Sequence, residues 1–184
     1  MIVHRKKRLL YMKSTKTAGT SILRKTLEPN LGGFIHKKDA PFRFDRWLRK
    51  ITDEDLSEYF IFATVRNPYD RFLSMAGHFR LSVDDLISQY DELVQREPYK
   101  SHLAPQVNYT HLGGKQFADR ILKFENIHKD FAELMRDLDL PNWELPHANK
   151  SDRSKLPSQL TGSHADFVSD IYRRDIEAYG YARL

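Results

Sequence analysis

The stretch that decides the fold is Leu9-Leu10-Tyr11-Met12-Lys13-Ser14-Thr15-Lys16-Thr17-Ala18-Gly19-Thr20-Ser21. An apolar run, a small polar segment with a lysine ahead of a glycine, and a helix-permissive stretch follow one another. This order reads as strand, phosphate loop, helix. A second stretch repeats the logic. The apolar run 59–65 leads into Arg66-Asn67-Pro68-Tyr69-Asp70-Arg71-Phe72-Leu73-Ser74, with an arginine at the strand end and a serine about two turns into the next helix. Two anion sites at the ends of two adjacent strands suit a nucleotide that carries phosphate at both its 5′ and its 3′ position.

Outward from these stretches, residues 9–13 form a strand and residues 19–27 a helix ended by Glu28-Pro29-Asn30. Residues 31–44 read as loop, broken by Gly32-Gly33 and Pro41. Thr52 caps a short helix with Asp53, Glu54 and Asp55 in its first turn. The run 59–65 is almost uniformly apolar, as expected of a strand buried on both faces of a parallel sheet, and Pro68 takes a first helical position. Ser82 caps a helix whose Val83, Leu86, Ile87, Tyr90, Leu93 and Val94 make one apolar stripe. Residues 119–124 are a third strand, followed by an amphipathic helix carrying Ile127, Phe131, Leu134, Met135 and Leu138. Residues 141–162 are polar and interrupted by Pro141, Pro146 and Pro157, which reads as a lid or substrate loop. Ser163 with Asp166 opens a last helix that buries Phe167, Val168, Ile171, Tyr172, Ile176 and Tyr179. Strands alternating with helices predict an α/β fold with a mainly parallel sheet flanked by helices, in a single domain over residues 1–184.

The bulk properties agree with that picture. A chain of 184 residues suffices for one domain that buries roughly two-thirds of its unfolded surface. There is no cysteine, hence no disulfide framework, zinc-thiolate site or thiol nucleophile. No apolar run approaches the ~20 residues of a membrane span. The basic start, Arg5-Lys6-Lys7-Arg8, is followed by too short an apolar segment for a signal-peptide core, so a cytoplasmic location is expected. A net charge of +5 favours anionic partners, but the basic residues are spread along the chain and no nucleic-acid-binding module is visible.

Chemistry concentrates in the two loops. A strand-to-helix loop exposes amide N–H groups at the positive end of a helix. Gly19 lets the backbone approach an anion, Lys16 adds a charged donor, and Thr17, Thr20 and Ser21 add hydroxyls around Ala18. The lysine precedes the glycine, so this is not a Walker A loop. Arg66 offers a planar fork to phosphate and Ser74 a hydroxyl. Arg71 is read as a structural residue that pins its helix to the sheet. Lys13 either reaches the 5′ side of the ligand or stands solvated at the strand end.

Together these motifs resemble the sulfotransferases that use 3′-phosphoadenosine 5′-phosphosulfate (PAPS). The likeness is to their carbohydrate branch, sulfotransferase family 2, with the heparan 2-O- and chondroitin 4-O-enzymes. Lys16 to Ser21 resembles that family's 5′-phosphosulfate loop, with Thr15 where the family commonly has proline, and Val65 to Ser74 resembles its 3′-phosphate motif. The likeness continues through Pro105-Gln106, residues 122–126, His147-Ala148-Asn149-Lys150-Ser151 and residues 175–181. It implies a P-loop-like fold and transfer of a sulfuryl group from PAPS, as co-substrate, to a hydroxyl of a sugar or glycan. Residues 16–21, Arg66, Ser74, Lys150 and Ser151 would hold the nucleotide, and Lys16 would meet charge developing on the leaving oxygen. No metal is required, and His4, His36, His78 and His102 lack ligand spacing.

Of eight histidines, His36 is the leading general base, since it lies after the first helix, where the family's base commonly falls. His102 stands second, ahead of Asp39 and Glu125; Glu125 is read as a tie between a strand end and the neighbouring loop. Two rival readings are a small P-loop kinase acting on a nucleoside or sugar, and a non-catalytic protein that binds nucleotides or polyanions.

Overall fold

The three apolar runs become the parallel side of a mixed sheet. The computed structural model describes residues 1–36, 56–146 and 156–184. Its elements begin with β1 (Ile2–His4), β2 (Leu9–Lys13), a π-helical segment (Thr20–Leu27) continued by α1 (Glu28–Leu31), and β3 (Ile35–His36). Next come β4 (Phe60–Val65), α2 (Pro68–Phe79), α3 (Val83–Ser88), α4 (Tyr90–Leu93) and α5 (Tyr99–Leu103). The chain continues with β5 (His111–Leu112), β6 (Lys115–Gln116), β7 (Arg120–Lys123), α6 (Ile127–Asp137), α7 (Gly162–Ile171) and α8 (Arg173–Tyr179). They gather into two units, residues 1–65 with 108–148, and residues 66–107 with 149–184.

In the first unit, five strands among the described residues form a sheet in the order β3-β1-β2-β4-β7. β2, β4 and β7 pair in parallel, with Lys13 opposite Thr64 and Val65 opposite Lys123. β1 pairs antiparallel with both β2 and β3, so the sheet is mixed where the sequence predicts a mainly parallel one. The sequence misses the two extra strands because three and two residues are too few to show a period. The turn between β1 and β2 is the basic segment Arg5–Lys7, closed by the Lys7 N–H donating to His4 Nδ1 at 3.0 Å. β3 lies within the stretch read as loop. Gly32 and Gly33, at φ 60° and 67°, turn the chain back, and Phe34 packs edge-on against His4.

Side chains of β2 and β4 alternate between two buried faces. Leu9, Tyr11 and Phe62 join Ile22, Leu23 and Leu27 of the π-helical segment and Phe131, Leu134 and Met135 of α6. Leu10, Met12, Ile61 and Ala63 form the other cluster with Met1, Val3 and Tyr59. This double burial is what the uniform apolar run of β4 requires. The first helix runs past its predicted end. The Glu28 N–H reaches back to Leu23 O, and Pro29 falls in the first turn of α1, where a missing N–H is tolerated; Gly32 ends the run. A two-residue hairpin, β5–β6, turns on Gly113 and Gly114, both at positive φ.

The second unit is helical. Asn67 caps α2 by accepting from the Tyr69 and Asp70 N–H groups, with Pro68 first in the helix as predicted. Ser82 caps α3, also as predicted, but its helix breaks at Gln89, so that the apolar stripe runs over α3 and α4. The last helix likewise breaks, at Tyr172, and starts at Gly162 after Thr161 rather than at a Ser163 cap. Tyr69, Phe72, Leu73, Leu86, Leu103, Val168 and Tyr172 make the core of this unit. Within it Arg71 is fully buried. Its Nη2 donates to His102 O (2.7 Å) and Ala104 O (2.9 Å), the last carbonyls of α5, and its guanidinium lies over the Tyr172 ring. Arg71 is thus structural, and what it pins is the end of α5. The predicted Thr52 helix and residues 147–155 of the 141–162 loop lie outside the described residues.

Replacing Arg71 by methionine keeps volume but strands those carbonyls and removes the cation near buried Asp175. Arg71→Met is expected to destabilise the protein by on the order of 3 kcal/mol in urea unfolding. A loss under ~1 kcal/mol would contradict the role given to this side chain.

Candidate anion-binding site

The loop between β2 and the π-helical segment, residues 14–19, is held by hydroxyl groups from two adjacent parallel strands. Tyr11 OH lies 2.9 Å from Thr64 Oγ1, which lies 2.7 Å from Thr17 Oγ1. Thr17 Oγ1 donates to Ser14 O (2.9 Å), and Ser14 Oγ donates to Thr64 O (2.8 Å). One proton assignment satisfies the whole chain: Tyr11 donates to Thr64, Thr64 to Thr17, Thr17 to Ser14 O, and Ser14 to Thr64 O. All four residues are buried. Burial accordingly raises the Tyr11 hydroxyl well above the ordinary tyrosine range, with the Thr64 bond opposing. Thr17 therefore anchors the loop through its hydroxyl, and what it can offer an anion is its backbone N–H.

Lys16 and Ala18 take φ of 62° and 61°, left-handed backbone on either side of anchored Thr17. Left-handed residues next to right-handed ones also occur in backbone nests, in which successive N–H groups turn toward one point. Left-handed conformations at two residues with side chains are strained, and strain of this kind gathers at ligand clamps. Gly19, by contrast, has an ordinary φ of −58°. What glycine supplies there is room for the Lys13 stem: a Cβ would stand 2.6 Å from Lys13 Cδ and 2.7 Å from Cγ. Lys13 thus does not stand solvated at the strand end; its stem lies across Gly19. Burial, then the nearby Arg24 charge, lower its pKa from the ordinary lysine value, with Glu28 opposing. Lys16 and Thr20 are half-buried and Ser21 is buried, at the start of the π-helical turns.

His36 lies in β3, with its backbone opposite Ile2, which in turn faces Tyr11 of β2. It belongs to the same unit as the loop and stands two strands from β2, or ~10 Å at normal strand spacing. At the far side of the sheet, the Lys123 N–H at the end of β7 donates to Asp130 Oδ2 at 2.7 Å, a tie the sequence reading did not foresee.

In the second unit, Arg66 is the residue that follows β4, and Ser74 is buried on α2. The Arg66 backbone is gripped twice by one side chain. Its N–H donates to Gln106 Oε1 (2.8 Å), and Gln106 Nε2 donates to its C=O (2.8 Å). Asp175 in turn accepts from the N–H groups of Gln106 (2.8 Å) and Val107 (2.9 Å). Burial raises the Asp175 carboxyl, against the pull of Arg71 and of these N–H groups. His102, on α5, stacks at 5.2 Å on His78, and its Nδ1 lies 2.9 Å from Pro98 O. Lys150, Ser151 and Asp39 lie outside the described residues.

Gln106, Asp175 and Thr64 hold the two loops, yet the sequence alone assigns none of them a role. No local pattern marks any of the three, because their partners lie 40 to 69 positions away in the chain. Among the described residues, no three His, Asp or Glu side chains group to hold a metal ion, and no helix is long and apolar enough to cross a membrane. Comparison with protein-family models, with curated proteins and with solved structures finds no match to this chain.

The state of Lys13 has a testable consequence. Its charged form is disfavoured in the fold, so native stability falls as pH drops from ~10.4 through the lowered folded pKa, and the loss is complete below it. Lys13→Met is therefore expected to melt above the parent at pH 7, with the difference shrinking toward pH 11. A difference that stays constant between the two pH values would contradict this environment for Lys13.

Proposed function

We propose that this protein is a sulfotransferase that moves the sulfuryl group of PAPS to a hydroxyl of a carbohydrate-type acceptor, on a P-loop-like fold. The observation that carries the reading is the loop 14–19. It leads from a central strand into a helix, takes left-handed backbone at Lys16 and Ala18, and together with Thr20 and Ser21 at the helix start makes up the Lys-Thr-Ala-Gly-Thr-Ser motif of the resemblance. In this reading the backbone N–H groups of residues 16–21 hold the 5′-phosphosulfate. Arg66 and Ser74 hold the 3′-phosphate, and Lys150 and Ser151 help close over the nucleotide.

The reaction is an in-line displacement. The acceptor oxygen attacks sulfur, the bond from sulfur to the 5′-phosphate oxygen breaks, and adenosine 3′,5′-bisphosphate leaves. Lys16 stabilises the charge that develops on the departing oxygen. His36 takes the acceptor proton. The donor supplies its own leaving group, so a metal has no assigned part.

Two outcomes test this. Calorimetry is expected to show adenosine 3′,5′-bisphosphate binding more tightly than 5′-AMP by about 10- to 150-fold, the worth of a charge-assisted pair of roughly 1.5–3 kcal/mol. Arg66→Ala should erase most of that margin, whereas equal affinities in the parent protein would remove the 3′-phosphate site. Lys16→Ala should lower kcat by ~10²- to 10³-fold while changing affinity for the bisphosphate only a few-fold, because its role is to meet charge absent from the ground state. A strict Mg²⁺ requirement with turnover of ATP would point instead to a kinase.

A further inference from the structure

The second unit contains a buried relay with no part in binding yet assigned to it: Asp175 to Gln106 to the backbone of Arg66. Gln106 and Asp175 are both fully buried. The Gln106 amide presents its oxygen to the Arg66 N–H and its nitrogen to the Arg66 C=O, both at 2.8 Å. This is the pattern a neighbouring strand would offer, made by one side chain at the first residue beyond β4. The amide orientation is fixed by its partners, since the Arg66 N–H can only donate and its C=O can only accept.

Asp175 fixes the amide in turn. Its Oδ2 accepts from Gln106 N–H at 2.8 Å and lies 3.3 Å from Gln106 Nε2, while Oδ1 accepts from Val107 N–H at 2.9 Å. Both amide hydrogens of Gln106 are thereby used, one on the Arg66 carbonyl and one on the carboxylate. A half-satisfied buried amide would be costly, and this one is complete. The result holds φ and ψ at Arg66 within the helical unit, and with them the direction in which its side chain departs.

Resting on the reading above, in which Arg66 receives the 3′-phosphate, we propose that Gln106, held by Asp175, is the positioning residue that aims Arg66 and so sets selectivity for a nucleotide bearing a 3′-phosphate. A guanidinium recognises phosphate through a planar fork, so a small change of direction at its Cα displaces both donors together. Loss of the clamp should therefore affect the extra phosphate and leave the rest of the nucleotide site alone.

The test is calorimetric titration of the full chain with adenosine 3′,5′-bisphosphate and with 5′-AMP. Gln106→Met, of similar volume, is expected to lower the preference for the bisphosphate at least ~5-fold while 5′-AMP affinity stays within ~2-fold. Asp175→Asn, which puts an N–H where an acceptor is needed, should move the preference the same way by less. In the double variant Arg66→Ala/Gln106→Met the preference should equal that of Arg66→Ala alone, because both act on one contact. Full preference retained in Gln106→Met, with Arg66→Ala losing it, overturns the clamp and spares the 3′-phosphate reading. An unchanged preference in Arg66→Ala overturns that reading itself. If the variants fail to fold, amide exchange in the parent protein decides: slow exchange at the Arg66 N–H, like that of sheet amides, supports the clamp, and exchange at the rate of a free loop overturns it.

Discussion

The loop that carries the proposed chemistry depends on one buried chain of hydroxyls. Tyr11 donates to Thr64 and Thr64 to Thr17, whose hydroxyl and that of Ser14 end on the backbone carbonyls of Ser14 and Thr64, so every proton among them has a place. Because β2 and β4 run in parallel with Lys13 opposite Thr64, the loop after β2 begins beside the end of β4. Thr17 fastens the middle of the loop there. With that residue fixed, Lys16 and Ala18 on either side can be held in left-handed backbone that neither would choose alone. Strain at two positions is sustained because the surrounding bonds over-determine them.

This arrangement separates roles that the sequence runs together. Six consecutive residues read as a set of phosphate ligands, yet they do different things. Thr17 is an anchor, Ala18 shapes the backbone, and Gly19 makes room for the Lys13 stem. Lys16 alone in the motif brings a formal charge, and Lys13 adds a second from the end of the strand. Its lowered pKa has a plain physical cause, since burial against Gly19 and the nearby Arg24 both disfavour the charged form.

What was legible in the sequence is what short-range pattern encodes. The runs of β2, β4 and β7, Pro68 at the start of α2, the cap at Ser82, and the amphipathic face of α6 follow from neighbours a few residues apart. β1 and β3 escaped because they are too short to show a period, and they make the sheet mixed. The Gly113-Gly114 hairpin was a missed signal, since paired glycines between two short polar-apolar segments favour a two-residue turn. The grip of Gln106 on Arg66 could not be read at all, because it joins residues far apart in sequence through a side chain that imitates backbone. Composition and motif can name an arginine at a strand end; they do not say what holds it.

The proposed activity is the movement of a sulfuryl group. Incubation of the full chain with sulfur-labelled PAPS and a mixed pool of polysaccharides and simple glycosides, with chelator present, tests it directly. The expected result is label on the hydroxyl-bearing acceptor and release of one adenosine 3′,5′-bisphosphate for each group transferred, with transfer lost in Lys16→Ala. Absence of transfer to every acceptor class, from protein that binds the bisphosphate no better than 5′-AMP, would contradict it.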